Sequence, residues 1–150
     1  MSTSRTKPGG WVPRQRQKGL CRWCGIAVPK GRFTFCADFC VHEWRLRTDP
    51  GYLREQVFAR DNGVCAQCGV DTEAMRRDKR KLDYRARRQF EKDWGDRRHL
   101  WDADHIVPVV EGGGECDLAN MRTLCLKCHK LATAELRRRR RGGAVETLTS

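Results

Sequence analysis

Eight of the nine cysteines in this chain fall in four close pairs: Cys21-x-x-Cys24, Cys36-x-x-x-Cys40, Cys65-x-x-Cys68 and Cys125-x-x-Cys128. A Cys-x-x-Cys turn points two sulfurs to one side, where a tetrahedral zinc can bind both at about 2.3 Å. Four pairs make two such sites, Cys21, Cys24, Cys36 and Cys40 in the first and Cys65, Cys68, Cys125 and Cys128 in the second. The competing reading, a redox-active Cys-x-x-Cys, usually comes singly beside a βαβ unit. Cys116 follows a glycine run and is left out of both sites.

The rest of the composition shows why metal is needed. Hydrophobic residues are 39% of the 150, cysteines included, and mean hydropathy is -0.75, so aliphatic side chains alone build only a thin core. No apolar run outlasts the stretch around Ile106 to Val110, which excludes a membrane span. Met1 to Lys18 lacks the apolar segment of a secretory signal, so a cytoplasmic, reducing environment is expected, where cysteines bind metal more readily than they pair. A net charge of +12 points to a polyanion as partner.

Along the chain, residues 1–18 read as a disordered basic arm, residues 19–48 as a four-cysteine zinc module and residues 49–136 as a second domain. Residues 137–150 read as a basic tail that opens with Arg137, Arg138, Arg139, Arg140 and Arg141. Asp38 to Leu46 can continue as a helix from the Cys36, Cys40 pair. His42 reads as a surface residue, since four cysteines already fill that site. Asp49-Pro50 opens a helix and Asn62-Gly63 closes it. Between Asp71 and His99, Leu82, Ala86, Phe90 and Trp94 recur every fourth residue, which predicts a long helical insertion over 71–99. Trp94 and Trp101 read as core residues and His99 as a surface one.

Trp101 to Val110 reads as a strand, Met121 to Leu124 as a second, and Leu126 to Arg140 as a helix. A zinc knuckle at Cys65 closing onto that helix start is a treble clef, and strand, loop, strand, helix make ββα. Successive helical residues are rotated by about 100°, so if Cys128 faces zinc, His129 faces elsewhere, toward the paired strand. His129 and Asp104 can then hold a hard divalent cation, leaving His105 beside it to take a proton from water. Metal, base and basic surface are what phosphodiester hydrolysis requires.

Asp104-His105, the glycine loop at 112–114, Leu118-x-Asn120 and Leu124-Cys-x-x-Cys-His129 resemble, in that order, the HNH endonucleases of the ββα-metal superfamily in their zinc-stapled form. The resemblance covers roughly residues 51–135, and the HNH module attached to some annealing helicases looks similar there. It implies a small α+β fold: a zinc-stabilised treble-clef HNH core with a helical insertion and an N-terminal zinc module. It further implies His105 as general base, Asp104 and His129 as ligands of a catalytic Mg2+ or Mn2+, and Asn120 as the residue orienting the loop that bears the base. Two structural zinc ions and DNA, double-stranded or branched, complete the expectation.

Two departures accompany the resemblance. Many relatives carry Lys-Thr three and four residues past the last histidine, where this chain has Ala132 and Thr133, so a phosphate contact is either lost or taken over by Lys130. Neighbours on an ideal strand point to opposite faces, so Asp104 and His105 serve one site only if the strand bends. The first module, with Trp23-Cys24-Gly25, Phe35-Cys36 and Cys40, resembles the short FCS-type fingers, which imply nucleic-acid or protein binding; a structural brace is the plainer role. Arg137 to Arg141 and Lys130 are the candidate phosphate contacts. A non-catalytic zinc module that binds nucleic acid is the alternative to an endonuclease.

Overall fold

The structure, a computed structural model, describes residues 14–113 and 117–143. Most of the expected basic arm, Cys116 and the end of the expected tail lie outside them. The elements in order are α1 (Asp38–Thr48), α2 (Pro50–Asp61), α3 (Thr72–Lys79), α4 (Tyr84–Trp94), β1 (Trp101–His105), β2 (Met121–Cys125) and α5 (Leu126–Gly143). Two 3-10 turns, Val109–Glu111 and Leu118–Asn120, lie between the strands. Among the described residues, no helix is long and apolar enough to cross a membrane.

The chain divides into two compact units. The first takes in the described residues up to Ala59 together with His105–Met121, and the second takes in Arg60–Asp104 and the residues from Arg122 onward. In the first unit a tight knuckle closes by a bond from the Gly25 N–H to the Cys21 carbonyl (2.8 Å), with Gly25 at φ +80°, a backbone state only glycine adopts cheaply. Leu20 and Ala27 bridge its two arms. Cys21, Cys40 and Leu46 are buried. Arg22 lies over the Trp44 ring and Arg47 over the Trp23 ring, so cations cover the aromatic faces. Asp49 caps α2 by accepting from the Tyr52 N–H at 3.0 Å. His42 is not a bare surface residue: half-buried, its Nδ1 lies 2.8 Å from the Tyr52 hydroxyl.

The second unit repeats the knuckle. The Gly69 N–H bonds to the Cys65 carbonyl at 2.8 Å, Gly69 has φ +73°, and Val64 bridges to Asp71. The core is Cys65, Leu124, Cys125 and Cys128, with Val70, Trp94 and Ala132 packed on it. Its two fully buried threonines are satisfied: Thr72 Oγ donates to the Gly63 carbonyl at 2.7 Å and Thr123 Oγ to Asp61 at 2.9 Å.

The helix predicted over 71–99 is two helices. Asp71 caps α3, accepting from Glu73 and Ala74, and Asp83 caps α4, accepting from Ala86 at 2.9 Å. Ala86, Phe90 and Trp94 of the fourfold apolar spacing lie in α4, Leu82 lies just before its cap, and none lies in α3. Gly95, at φ +82°, ends α4. The first strand is also shorter than expected, ending at His105. The chain then bends at Ile106 and Val107 before Pro108.

The strands pair as β1-β2. Bonds from the Ile106 N–H to Asn120 (2.8 Å) and from the Leu126 N–H to Leu100 (3.0 Å) fix an antiparallel register that sets Asp104 opposite Arg122. α5 starts directly where β2 stops, placing Cys125 at the strand end and Cys128 in the first helical turn.

Candidate functional site

Each cysteine group gathers four thiol sulfurs within 4.8 Å of one another. Cys24 and Cys36 lie 3.4 Å apart, as do Cys36 and Cys40, and Cys68 and Cys125 lie 3.8 Å apart. Tetrahedral zinc sets its sulfurs about 3.8 Å apart, so both groups have the size of a zinc site. Burial pushes the Cys21 thiol up. Backbone N–H groups of Cys24, Cys36 and Trp23 outweigh it and bring the thiol down to about 6. Cys65 follows the same pattern, with Cys125, Cys68 and Gln67 as donors, and also falls to about 6. Burial and the three neighbouring thiols push Cys40 up to about 12, and Cys128 is raised for the same reasons. One thiolate per group is therefore easy to form and a full set is not, until a cation compensates the charge.

A second cluster lies between β1 and α5, within the second unit. Side chains alternate across a strand, so Asp102 and Asp104 share the face that meets His129. His129 Nε2 is 3.8 Å from one oxygen of Asp104, and its Nδ1 is 3.2 Å from Asp102. The other oxygen of Asp104 accepts from Arg122 Nε and Nη2 at 3.1 and 2.9 Å. Asp102 in turn receives both terminal nitrogens of Arg97, at 3.0 and 3.1 Å. Two ligand atoms each about 2.1 Å from one ion can stand up to roughly 4 Å apart. The facing atoms of Asp104 and His129 meet that limit, and an ion held by only two side chains keeps positions open for water and phosphate. Asp104 and His129 are the residues of this cluster that could hold a divalent cation.

In the first unit, Asn120 forms a two-bond clamp on the backbone of Val107. Its side-chain oxygen accepts from the Val107 N–H at 2.9 Å, and its amide donates to the Val107 carbonyl at 3.0 Å. Gly113 is buried there and donates its N–H to the Pro108 carbonyl; a Cβ on it would collide with the Val107 carbonyl, so only glycine lets the loop close. His105 ends β1, and its buried Nε2 has no hydrogen-bond partner among the described residues.

The basic candidates fall on α5 and beside it. An open cleft of about 230 Å³ next to His129 is lined by Lys92, Arg97, Lys127 and Lys130, with Trp94 and Asp93 in its wall. Lys127 stands over the Trp94 ring at 4.3 Å. Arg137 to Arg141 continue α5 and are exposed, and Arg138 pairs with Glu135 at 2.8 Å. Trp101 is buried, and His99 is half-buried against it rather than on the surface.

Sequence reasoning missed Asp102, Arg97 and Arg122. The signal for Asp102 was the twofold spacing of Trp101-Asp-Ala-Asp104, which puts both carboxylates on one side of a strand; Arg97 and Arg122 are recognisable only once the strands pair.

Comparison with known proteins bears on the same stretch. Residues 89–135 match the HNH endonuclease family. The mouse protein "DNA annealing helicase and endonuclease ZRANB3" is 38% identical over 118 residues, 67% of this chain and 11% of its own length. The human counterpart is 32% identical over 133 residues, 77% of this chain and 12% of its own length, so the chain spans about a tenth of these relatives. The crystal structure of the human ZRANB3 HNH domain is 33% identical, covers 59% of this chain and 89% of its own, and superposes with a TM-score of 0.47.

Proposed function

From the match of residues 89–135 to the HNH endonuclease family, we propose that this chain is a metal-dependent endonuclease that hydrolyses phosphodiester bonds of DNA. The observation that carries the reading is the approach of Asp104 to His129 Nε2 at 3.8 Å, with the remaining Asp104 oxygen held by Arg122 and His129 Nδ1 held by Asp102. The atoms left over face each other. A divalent ion bound there supplies charge neutralisation on the pentacovalent phosphate. His105 accepts a proton from the attacking water at its imidazole. Asn120 fixes Val107, two residues past His105, and so holds the backbone that follows the base. Lys92, Lys127 and Lys130 line the cleft beside His129 and attract the flanking phosphates.

The two cysteine groups hold structural zinc in this account, and the first module braces the chain or adds nucleic-acid contacts. The relatives matched are named as DNA-acting enzymes, which supports DNA as the substrate. The test is cleavage of closed-circular plasmid by the purified chain with Mg2+ or Mn2+. Nicked or linear product that EDTA abolishes is expected. Binding without cleavage under both metals identifies a non-catalytic zinc module instead.

A further inference from the structure

The contact of Asp102 with His129 Nδ1, at 3.2 Å, has so far been given no chemical consequence of its own. An imidazole in its neutral form carries one proton, and the nitrogen that donates a hydrogen bond leaves the other nitrogen with a free lone pair. We propose that Asp102 is a positioning residue. By accepting the Nδ1–H of His129 it selects the tautomer whose Nε2 lone pair points at Asp104, and it holds the ring in that orientation for a divalent cation.

Three features of the cluster carry this. Asp102 and Asp104 are two apart on β1, so the pleat delivers one carboxylate to each nitrogen of a single imidazole. Arg97 grips both oxygens of Asp102, at 3.0 and 3.1 Å, which fixes the carboxylate plane. Arg122 does the same work at the other end, occupying one Asp104 oxygen and leaving its partner oxygen toward Nε2. Acceptors placed behind a metal-binding histidine fix its tautomer and orientation, and their loss typically costs about 10–100-fold in metal affinity.

The proposal rests on the reading of His129 as a metal ligand, so its test separates the two. Nitrogen-15 NMR of the zinc-loaded chain, without added Mg2+ or Mn2+ and at about pH 8, above the ordinary histidine range, reads the His129 tautomer directly. A protonated Nδ1 with a bare Nε2 is expected in the wild type, and Asp102→Ala should move the proton toward Nε2. Calorimetric titration with Mn2+ should then show affinity weakened by about 10–100-fold in Asp102→Ala. Asp102→Asn, which keeps an acceptor oxygen, should recover much of that loss, and Arg97→Gln should lose less than Asp102→Ala. Zinc content and the remaining amide spectrum serve as the check on folding; should Asp102→Ala fail it, the wild-type tautomer and the Asp102→Asn titration decide.

Protonation of both nitrogens in the wild type would overturn the proposal, since His129 would then be a structural imidazolium between two carboxylates. An Nε2–H tautomer in the wild type, or a tautomer indifferent to Asp102→Ala, would overturn it as well. A tautomer that shifts while Mn2+ affinity stays unchanged refutes His129 as a ligand, and the positioning role falls with it.

Discussion

Asp61 shows how one side chain links a helix end to the core of the second unit. Its carboxyl is held below the usual carboxylate range first by Arg60, against the opposing effect of burial, and then by the Thr123 hydroxyl. A depressed folded-state pKa contributes stability that is present above the ordinary carboxylate range and lost as pH falls through the folded value, so this contact weakens only in acid. Thr123 is fully buried, and Asp61→Ala leaves its hydroxyl without the acceptor seen here. That should cost about 1–3 kcal/mol of unfolding free energy. Denaturant titration at neutral pH checks it, and the gap between wild type and variant should narrow in acid. Nothing in the linear chain announces this pair, because residues 61 and 123 meet only after the knuckle and β2 are in place. The cysteine pairs were legible at this same scale for the opposite reason: their chemistry needs only local spacing.

At the scale of elements, the helix boundaries at Asp49-Pro50 and Asn62-Gly63 were readable because each terminus carries its own cap, and α2 runs from Pro50 to Asp61. The insertion over 71–99 is helical, but its break into two helices is not legible, because Asp83 looks like one more acid on a solvated face until its side chain is seen accepting from Ala86. β1 stops early because the Asn120 clamp and the Ile106 bond turn the chain away, a tertiary effect with no local period. The helix α5 raises a question of charge. If its exposed Arg137 to Arg141 contact phosphates, each releases counterions, and log affinity falls with log salt by about 0.9 per contact. Replacing the five by glutamine should flatten that slope by as many units as there are real contacts and weaken all DNA sequences alike. Binding titrations at several salt concentrations measure it. An unchanged slope moves the phosphate contacts to the basic residues of 71–99 and the cleft beside His129.

For the molecule as a whole, a thin aliphatic core beside two four-thiol groups that could hold zinc predicts that metal binding and folding are coupled. Cys68→Ser should therefore lower melting temperature and zinc content together, read by thermal denaturation and elemental analysis; a variant that loses cleavage alone would contradict a structural role. The order of the motif residues was visible in the sequence because HNH chemistry sits on consecutive short elements. The carboxylate and arginine partners around His129 were not, since they depend on strand register. The claim at the centre is that His105 acts as a base and holds no structural metal. The direct measurement is single-turnover cleavage by His105→Ala beside wild type, with zinc content, Mn2+ affinity and DNA affinity measured on the same preparations. Cleavage near neutral pH should fall by about 10²-fold or more, the usual contribution of a general base. Zinc and DNA binding should stay near wild type, with partial recovery at high pH where hydroxide replaces the base. Full activity of His105→Ala at neutral pH would contradict the account.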